Sequence, residues 1–165
     1  MWDIQGMRLI VTLIAALMLS GCASTQSLPK SSDKVSFDMS EEGKTGWSEY
    51  QSTMFVKGVD KRTAYLAAKS GLSDAGFTIQ KASFDKLYAI GEHGMTRYDW
   101  NIVAGVYIKK ETDGAFIKAI VEGSKDTGLW GDMTAASWPQ EIFKGVREYI
   151  LTQSQIEDTD KDIFR

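Results

Sequence analysis

The chain has one cysteine, one histidine and two prolines in 165 residues. A single cysteine closes no disulfide within the chain, so stability must come from packing. A lone histidine cannot by itself supply the ligand set of a zinc site. A basic excess is missing too. From Trp47 to Ile156 there are thirteen basic and thirteen acidic side chains, unlike the basic surface of a nucleic-acid binder. No internal repeat is present. The N-terminal apolar run, Leu9 to Leu19, falls short of the roughly 20 residues that cross a bilayer core.

Signatures of catalysis are also lacking. Gly123-Ser-Lys-Asp-Thr-Gly128 has the glycine spacing of a phosphate-binding loop, but Leu129 and Trp130 stand where Lys and Ser/Thr are needed. Without them the phosphates lose their cation and Mg²⁺ loses a ligand. His93 lies between Glu92 and Gly94, and no Gly-x-Ser-x-Gly elbow exists to present a nucleophile to it. Its expected role is a solvent-exposed turn residue. Asp158-Thr-Asp160-Lys-Asp162 opens like a calcium loop but lacks the sixth-position glycine and the terminal glutamate. Glu41-Glu42 falls in a polar stretch with nothing to hold a glycosidase geometry. No cofactor, no metal and no enzymatic activity are expected.

What the sequence does contain begins with its leader. Arg8 supplies positive charge, Leu9 to Leu19 an apolar segment, and Ser20-Gly21 the small residues of a cleavage site. This is the order of a secretory signal peptide. Leu19-Ser20-Gly21-Cys22 resembles the lipobox of bacterial lipoproteins. The resemblance implies that residues 1–21 are removed and that Cys22 is lipidated on its sulfur and on its new amine, palmitate included. It further implies a membrane partner reached through that anchor. Two or more acyl chains hold a protein stably on a leaflet. Ala23 rather than Asp follows the cysteine, which by the same resemblance implies the outer membrane, facing the periplasm. Acylation also takes away the only thiol, and with it any cysteine–zinc or thiol chemistry.

Residues 22–165, 144 in all, suffice for one domain with a core. Residues 22–46 are rich in Ser, Thr, Lys and acids and are expected to form a flexible tether after the lipidated cysteine. Val35, Phe37 and Met39 alternate with polar residues and offer a short edge strand as the alternative. The single domain is expected over 47–153, followed by an acidic tail over 154–165. Ser52 to Val59 reads as a strand. Asp60 then caps a helix carrying Ala64, Tyr65, Ala68, Leu72 and Ala75, with Gly76 as its stop. Phe77 to Phe84 and Leu87 to Glu92 read as strands around an Asp85-Lys86 turn. Tyr98, Trp100, Ile102, Ala104, Val106 and Ile108 alternate without a break, the firmest strand pattern in the chain. Asp113-Gly114 marks a hairpin into Ala115 to Glu122, with positive φ expected at both turn residues. Ser137-Trp138-Pro139-Gln140 opens the last helix, whose buried stripe is Ile142, Val146, Tyr149 and Ile150. The expected fold is α+β, an antiparallel sheet of about four to five strands with two helices packed on one face.

A tether followed by strand–helix–strands–helix, with Gly76-Phe77-Thr78-Ile79 after the first helix, is similar to small outer-membrane accessory lipoproteins. One of these is the helix-grip lipoprotein of the β-barrel assembly machine. That resemblance implies a non-enzymatic envelope protein that binds a protein partner or scaffolds an assembly. A periplasmic carrier of a small ligand or lipid, with a cavity between the last helix and the sheet, is the alternative. An envelope hydrolase using His93 ranks last. The expected partner-binding residues are Trp130, Met133 and Trp138, because tryptophan is enriched at interface hot spots. Packing at the end of the sheet is the competing role for the two tryptophans. Asp3 and Trp2 sit poorly in a basic leader start, so translation is expected to begin at Met7. Sequencing the unprocessed precursor from its N-terminus should begin there, and a peptide containing Trp2 would refute it.

Overall fold

A computed structural model describes residues 24–44, 49–94, 101–123 and 137–163. The leader, Cys22 and Ala23, the expected domain start at Trp47, Tyr98 and Trp100 of the expected long strand, and Trp130 and Met133 lie outside the described residues. The strands are β1 (Gly43–Lys44), β2 (Glu49–Lys57), β3 (Thr78–Ser83), β4 (Tyr88–His93), β5 (Ile102–Glu111) and β6 (Gly114–Glu122). They form one antiparallel sheet in the order β1-β2-β6-β5-β4-β3, with β1 a two-residue edge piece beside five full strands. Helices α1 (Lys61–Asp74) and α2 (Ser137–Ile163) cover one face. This is the expected α+β architecture.

Chain order explains the layering. β2 and β3 lie toward opposite edges of the sheet, so α1 must cross the whole face between them. It does so on small residues. Ala64, Ala67, Ala68, Gly71 and Leu72 form its buried stripe, which matches the helical period. Against it the sheet presents Ala104, Ala115 and Ala119 among Ile102, Val106, Ile108 and Ile117. α2 then packs beside α1 where both backbones are bare. A Cβ on Gly71 would sit 2.7 Å from Val146 Cγ2 and against the Ile142 carbonyl oxygen, and one on Gly145 would sit 2.9 Å from Gly71 Cα. The two glycines are therefore required by space.

Local chemistry sets the ends of α1. The Asp60 carboxylate accepts hydrogen bonds from the Arg62 and Thr63 amides at 2.6 and 2.9 Å. At the other end Gly76 adopts φ +86°, and the Phe77 amide donates to the Leu72 carbonyl at 2.9 Å. Positive φ there satisfies the open carbonyls of the last turn, as a C-terminal glycine should.

Four expectations change. The hairpin after β5 forms, but Thr112-Asp113 are its loop residues, and none of Thr112, Asp113 and Gly114 has positive φ. Gly114 is instead bare because β2 runs past it. A Cβ there would meet the Val56 carbonyl and stand 2.9 Å from Phe55 Cζ. The expected tail is no tail as far as Ile163, since α2 continues helically to that residue. His93 is no exposed turn residue. It ends β4, half-buried against Phe77 and Trp138. The largest change concerns the expected tether. Residues 24–44 lie packed along the sheet face opposite the helices, where Leu28 is 2% exposed. Apolar side chains on β4, β5 and β6 needed cover, and Leu28, Val35 and Phe37 supply it.

The thermodynamics of the Asp60 cap can be tested directly. Amide donation from Thr63, then from Arg62, holds its carboxyl below the usual 3.8. A carboxyl held low stabilises the fold above pH 3.8 and loses that contribution as pH falls through the lowered value. Asp60→Ala should cost about 0.5–2 kcal/mol at neutral pH. Urea unfolding at pH 7 and again below pH 3 should show the difference from wild type shrinking.

Candidate functional site

The candidate site is the sheet face under residues 24–44, together with the sheet end where that segment starts. The segment behaves as a strap with two legs. The outward leg begins in a turn in which the Ser27 amide donates to the Ser24 carbonyl at 3.1 Å, while the Ser27 hydroxyl bonds the Glu122 carboxylate. Glu122 is the last residue of β6. Leu28 then enters an apolar cluster of Tyr88, Ile90, Val103, Tyr107 and Ile120. The Tyr107 hydroxyl donates to the Pro29 carbonyl at 2.9 Å. At the far end of the sheet, the Ser32 hydroxyl accepts from the Ile108 amide at 3.1 Å and donates to the Ile108 carbonyl at 2.6 Å. The Ser32 amide donates to the Lys86 carbonyl at 3.0 Å.

A 3₁₀ turn at Ser32–Lys34 reverses the chain. The return leg crosses β6 and β2. Its central contact is Lys118, whose ammonium donates to the Ser36 carbonyl at 2.7 Å and lies 3.8 Å from the Glu41 carboxylate. The Lys118 side chain is 1% exposed. The Thr53 amide donates to the Glu42 carboxylate at 3.0 Å, and β1 pairs with β2 at Gly43↔Gln51 and Lys44↔Tyr50. The strap thus ends near the edge of the sheet, close to where β2 begins.

Burial shapes the electrostatics of this face. It pushes the Tyr107 phenol well above the usual 10.0, with Glu122 adding in the same direction. It holds the Lys118 ammonium below the usual 10.5, and Glu41 and Asp38 offset this only in part. Neither group faces an open cavity in which it could act on a substrate. Two furrows lie at the strap's margins. One, of about 310 Å³, has Ser32, Val35 and Phe37 on one wall and Leu87, Ile108 and Lys109 on the other. The second, of about 270 Å³, lies between Glu42, Tyr50, Gln51 and Ser52 and the first turn of α2 at Pro139 and Gln140.

Of the three residues expected to contact a partner, only Trp138 is described. It sits in the first turn of α2, edge-on to Phe77 at 5.3 Å and tilted against His93 at 4.9 Å. That geometry docks the start of α2 onto the sheet. His93 Nδ1 is buried there with no hydrogen-bond partner among the described residues. Among those residues no cluster of three His, Cys, Asp or Glu side chains could hold a metal ion. Ser32, Tyr107 and Lys118 belong to no motif that marks them as site residues in the sequence. The legible signal was a lysine inside the otherwise apolar run Ala115 to Val121. The alternation of Val35 and Phe37 was noticed, but it marks a strap leg rather than a strand.

No family model matches the sequence, and no curated protein matches it. Among solved structures the chain is similar to the crystal structure of Ara h 8.0201, at 12% identity and a TM-score of 0.38, over 63% of this chain and 97% of that one. It is also similar to the di-domain ARO/CYC BexL from the BE-7585A biosynthetic pathway. There the identity is 10% and the TM-score 0.33, over 67% of this chain and 48% of that one.

Lys118 gives a pH test of the strap. Its value is lowered on folding, so the unfolded chain binds the proton more tightly. Stability should rise with pH from the lowered value up to 10.5, by at most about 1.4 kcal/mol per pH unit. Tyr107, raised on folding, acts in the opposite sense above pH 10.0. Subtracting the urea-unfolding curve of Lys118→Met from that of wild type isolates the lysine. The difference should favour wild type progressively as pH rises, and a flat difference would refute the assignment.

Proposed function

We propose that the protein is a non-enzymatic, lipid-anchored envelope protein that works through its surface, binding a protein partner or scaffolding an assembly. One observation carries the preference for surface over interior. Both faces of the sheet are occupied by the protein's own chain. Between helices and sheet, Ala64, Ala68, Leu72, Ile142, Val146 and Ile117 are all 0% exposed. Side chains lining a ligand-sized cavity would be touched by a water-sized sphere, and these are not. On the opposite face the strap fills the space in which an apolar ligand would lie.

The anchor is the second part of the proposal and rests on Leu19-Ser20-Gly21-Cys22. Among the described residues no helix is long and apolar enough to cross a membrane. The outer membrane, on its periplasmic side, is the proposed location because Ala23 follows the cysteine. The 310 Å³ furrow beside Val35 and Phe37 is the single observation favouring a small-ligand carrier, since ligand sites begin near 300 Å³. It is a marginal furrow with lysine and aspartate at its rim, not an apolar chamber.

Two measurements test the proposal. Radiolabelled palmitate should be incorporated by wild type and lost in Cys22→Ala, with the variant moving from the membrane to the soluble fraction. Gentle detergent extraction and affinity purification of the acylated protein should then yield a stoichiometric protein partner. A co-purifying lipid or small molecule with no protein would replace this reading with the carrier.

A further inference from the structure

The strap determines where the membrane anchor leaves the domain, and therefore which end of the domain meets the membrane. Had residues 22–46 been a free coil, the anchor would sit some 25–30 Å away in root-mean-square terms, and the domain would tumble. Instead the chain is held from Ser24 onward by the Ser24–Ser27 turn, the Ser27–Glu122 contact, buried Leu28 and the Tyr107–Pro29 hydrogen bond. Only Ala23 separates Ser24 from Cys22. Two residues reach at most about 7 Å even fully extended. That is far less than the roughly 30 Å length of a nine-residue strand.

We propose that the sheet end formed by Glu49, Glu92, Ile102 and Glu122 faces the phospholipid leaflet, with the opposite end pointing away from it. This rests on the reading of Cys22 as acylated. The polarity of the other elements follows from the register. Glu49 pairs with Glu122, and Thr78 with Glu92, so β2, β3, β4, β5 and β6 each have one terminus at the membrane end. α2 starts at this end, where Trp138 touches His93. It spans about 40 Å, and among the described side chains its last core contacts are Tyr149 and Ile150. Its C-terminal portion therefore extends outward, where a partner away from the leaflet can reach it. Among the described residues this end carries carboxylates at Glu49, Glu92 and Glu122, which anionic headgroups do not attract. Tether length sets the orientation.

The test uses the full acylated protein on phosphatidylethanolamine–phosphatidylglycerol vesicles containing an acceptor fluorophore on a fraction of the headgroups. A donor is attached to Thr78→Cys at the membrane end or to Asp113→Cys at the far end, both exposed positions. Acylated Cys22 does not react with the label. Energy transfer from position 78 should exceed that from position 113 several-fold and should not change with salt. Equal transfer, or the reverse order, overturns the orientation. Leu28→Asp, and the milder Leu28→Ala should the first not fold, release the anchor end of the strap and should bring the two positions together while the protein stays on the vesicles. A difference that persists with the strap released also overturns the proposal. Mass spectrometry of the same preparation separates the two levels. Protein without acyl chains refutes the anchor itself, whereas acylated protein with equal transfer refutes the orientation alone.

Discussion

Strand β5 is buried on both faces from Ile102 to Ile108, and the rest of the domain is arranged around that condition. Ile102, Ala104, Val106 and Ile108 point toward the helices, while Val103 and Tyr107 point the other way. An antiparallel sheet usually leaves one face in water. Here the second face of the central strands is apolar enough to need a cover. At roughly 25 cal/mol per Å² of apolar surface removed from water, leaving Tyr88, Ile90, Val103, Tyr107 and Ile120 bare would cost several kcal/mol. That is a large share of the stability of a small domain. The two helices are committed to the first face, and among the described residues the N-terminal segment covers the second.

Covering a sheet with irregular chain raises the problem of backbone polar groups. A strap has no ladder of its own, and each buried N–H or C=O without a partner costs about 1–3 kcal/mol. The solution is a set of side chains aimed up from the sheet or down from the strap. Tyr107 serves the Pro29 carbonyl, Lys118 the Ser36 carbonyl, and Ser32 reaches down to Ile108. Lys118 is the costly member, since burial works against its charge. Its long stem passes through the apolar layer while the ammonium meets a carbonyl and the Glu41 carboxylate, a geometry a shorter side chain could not provide. The strap thereby becomes part of the fold.

Much of the helical side of the protein was legible because its signals are local. Asp60 caps through amides two and three residues away, Gly76 stops α1 by its own φ, and the apolar stripes of both helices follow from period alone. The β5–β6 hairpin was legible from alternation, although the reason for Gly114 was not. Its bareness answers to β2, which is distant in sequence but adjacent in the sheet. The same distinction explains the strap. Residues 24–44 have the composition of a solvated linker, and only three apolar side chains, Leu28, Val35 and Phe37, bind them to the core. Composition averages over the segment, whereas docking depends on three positions and on a receptive surface eighty residues away. For the site, Trp138 stands out by its chemistry, and the fold places it against Phe77 and His93 at the start of α2.

By itself the sequence determined the α+β class and the two ends of α1. Each of these depends on residues within a few positions of one another or on periodicity along a single element. Only the tertiary structure decided that the second face of the sheet is closed, that Lys118 and Tyr107 hold that closure, and that the chain behind Cys22 is a strap and not a leash. Those facts arise from contacts between residues about eighty positions apart. Which distant surfaces meet is set by the shared need to bury apolar area and pair backbone groups, and no short stretch of sequence carries that information.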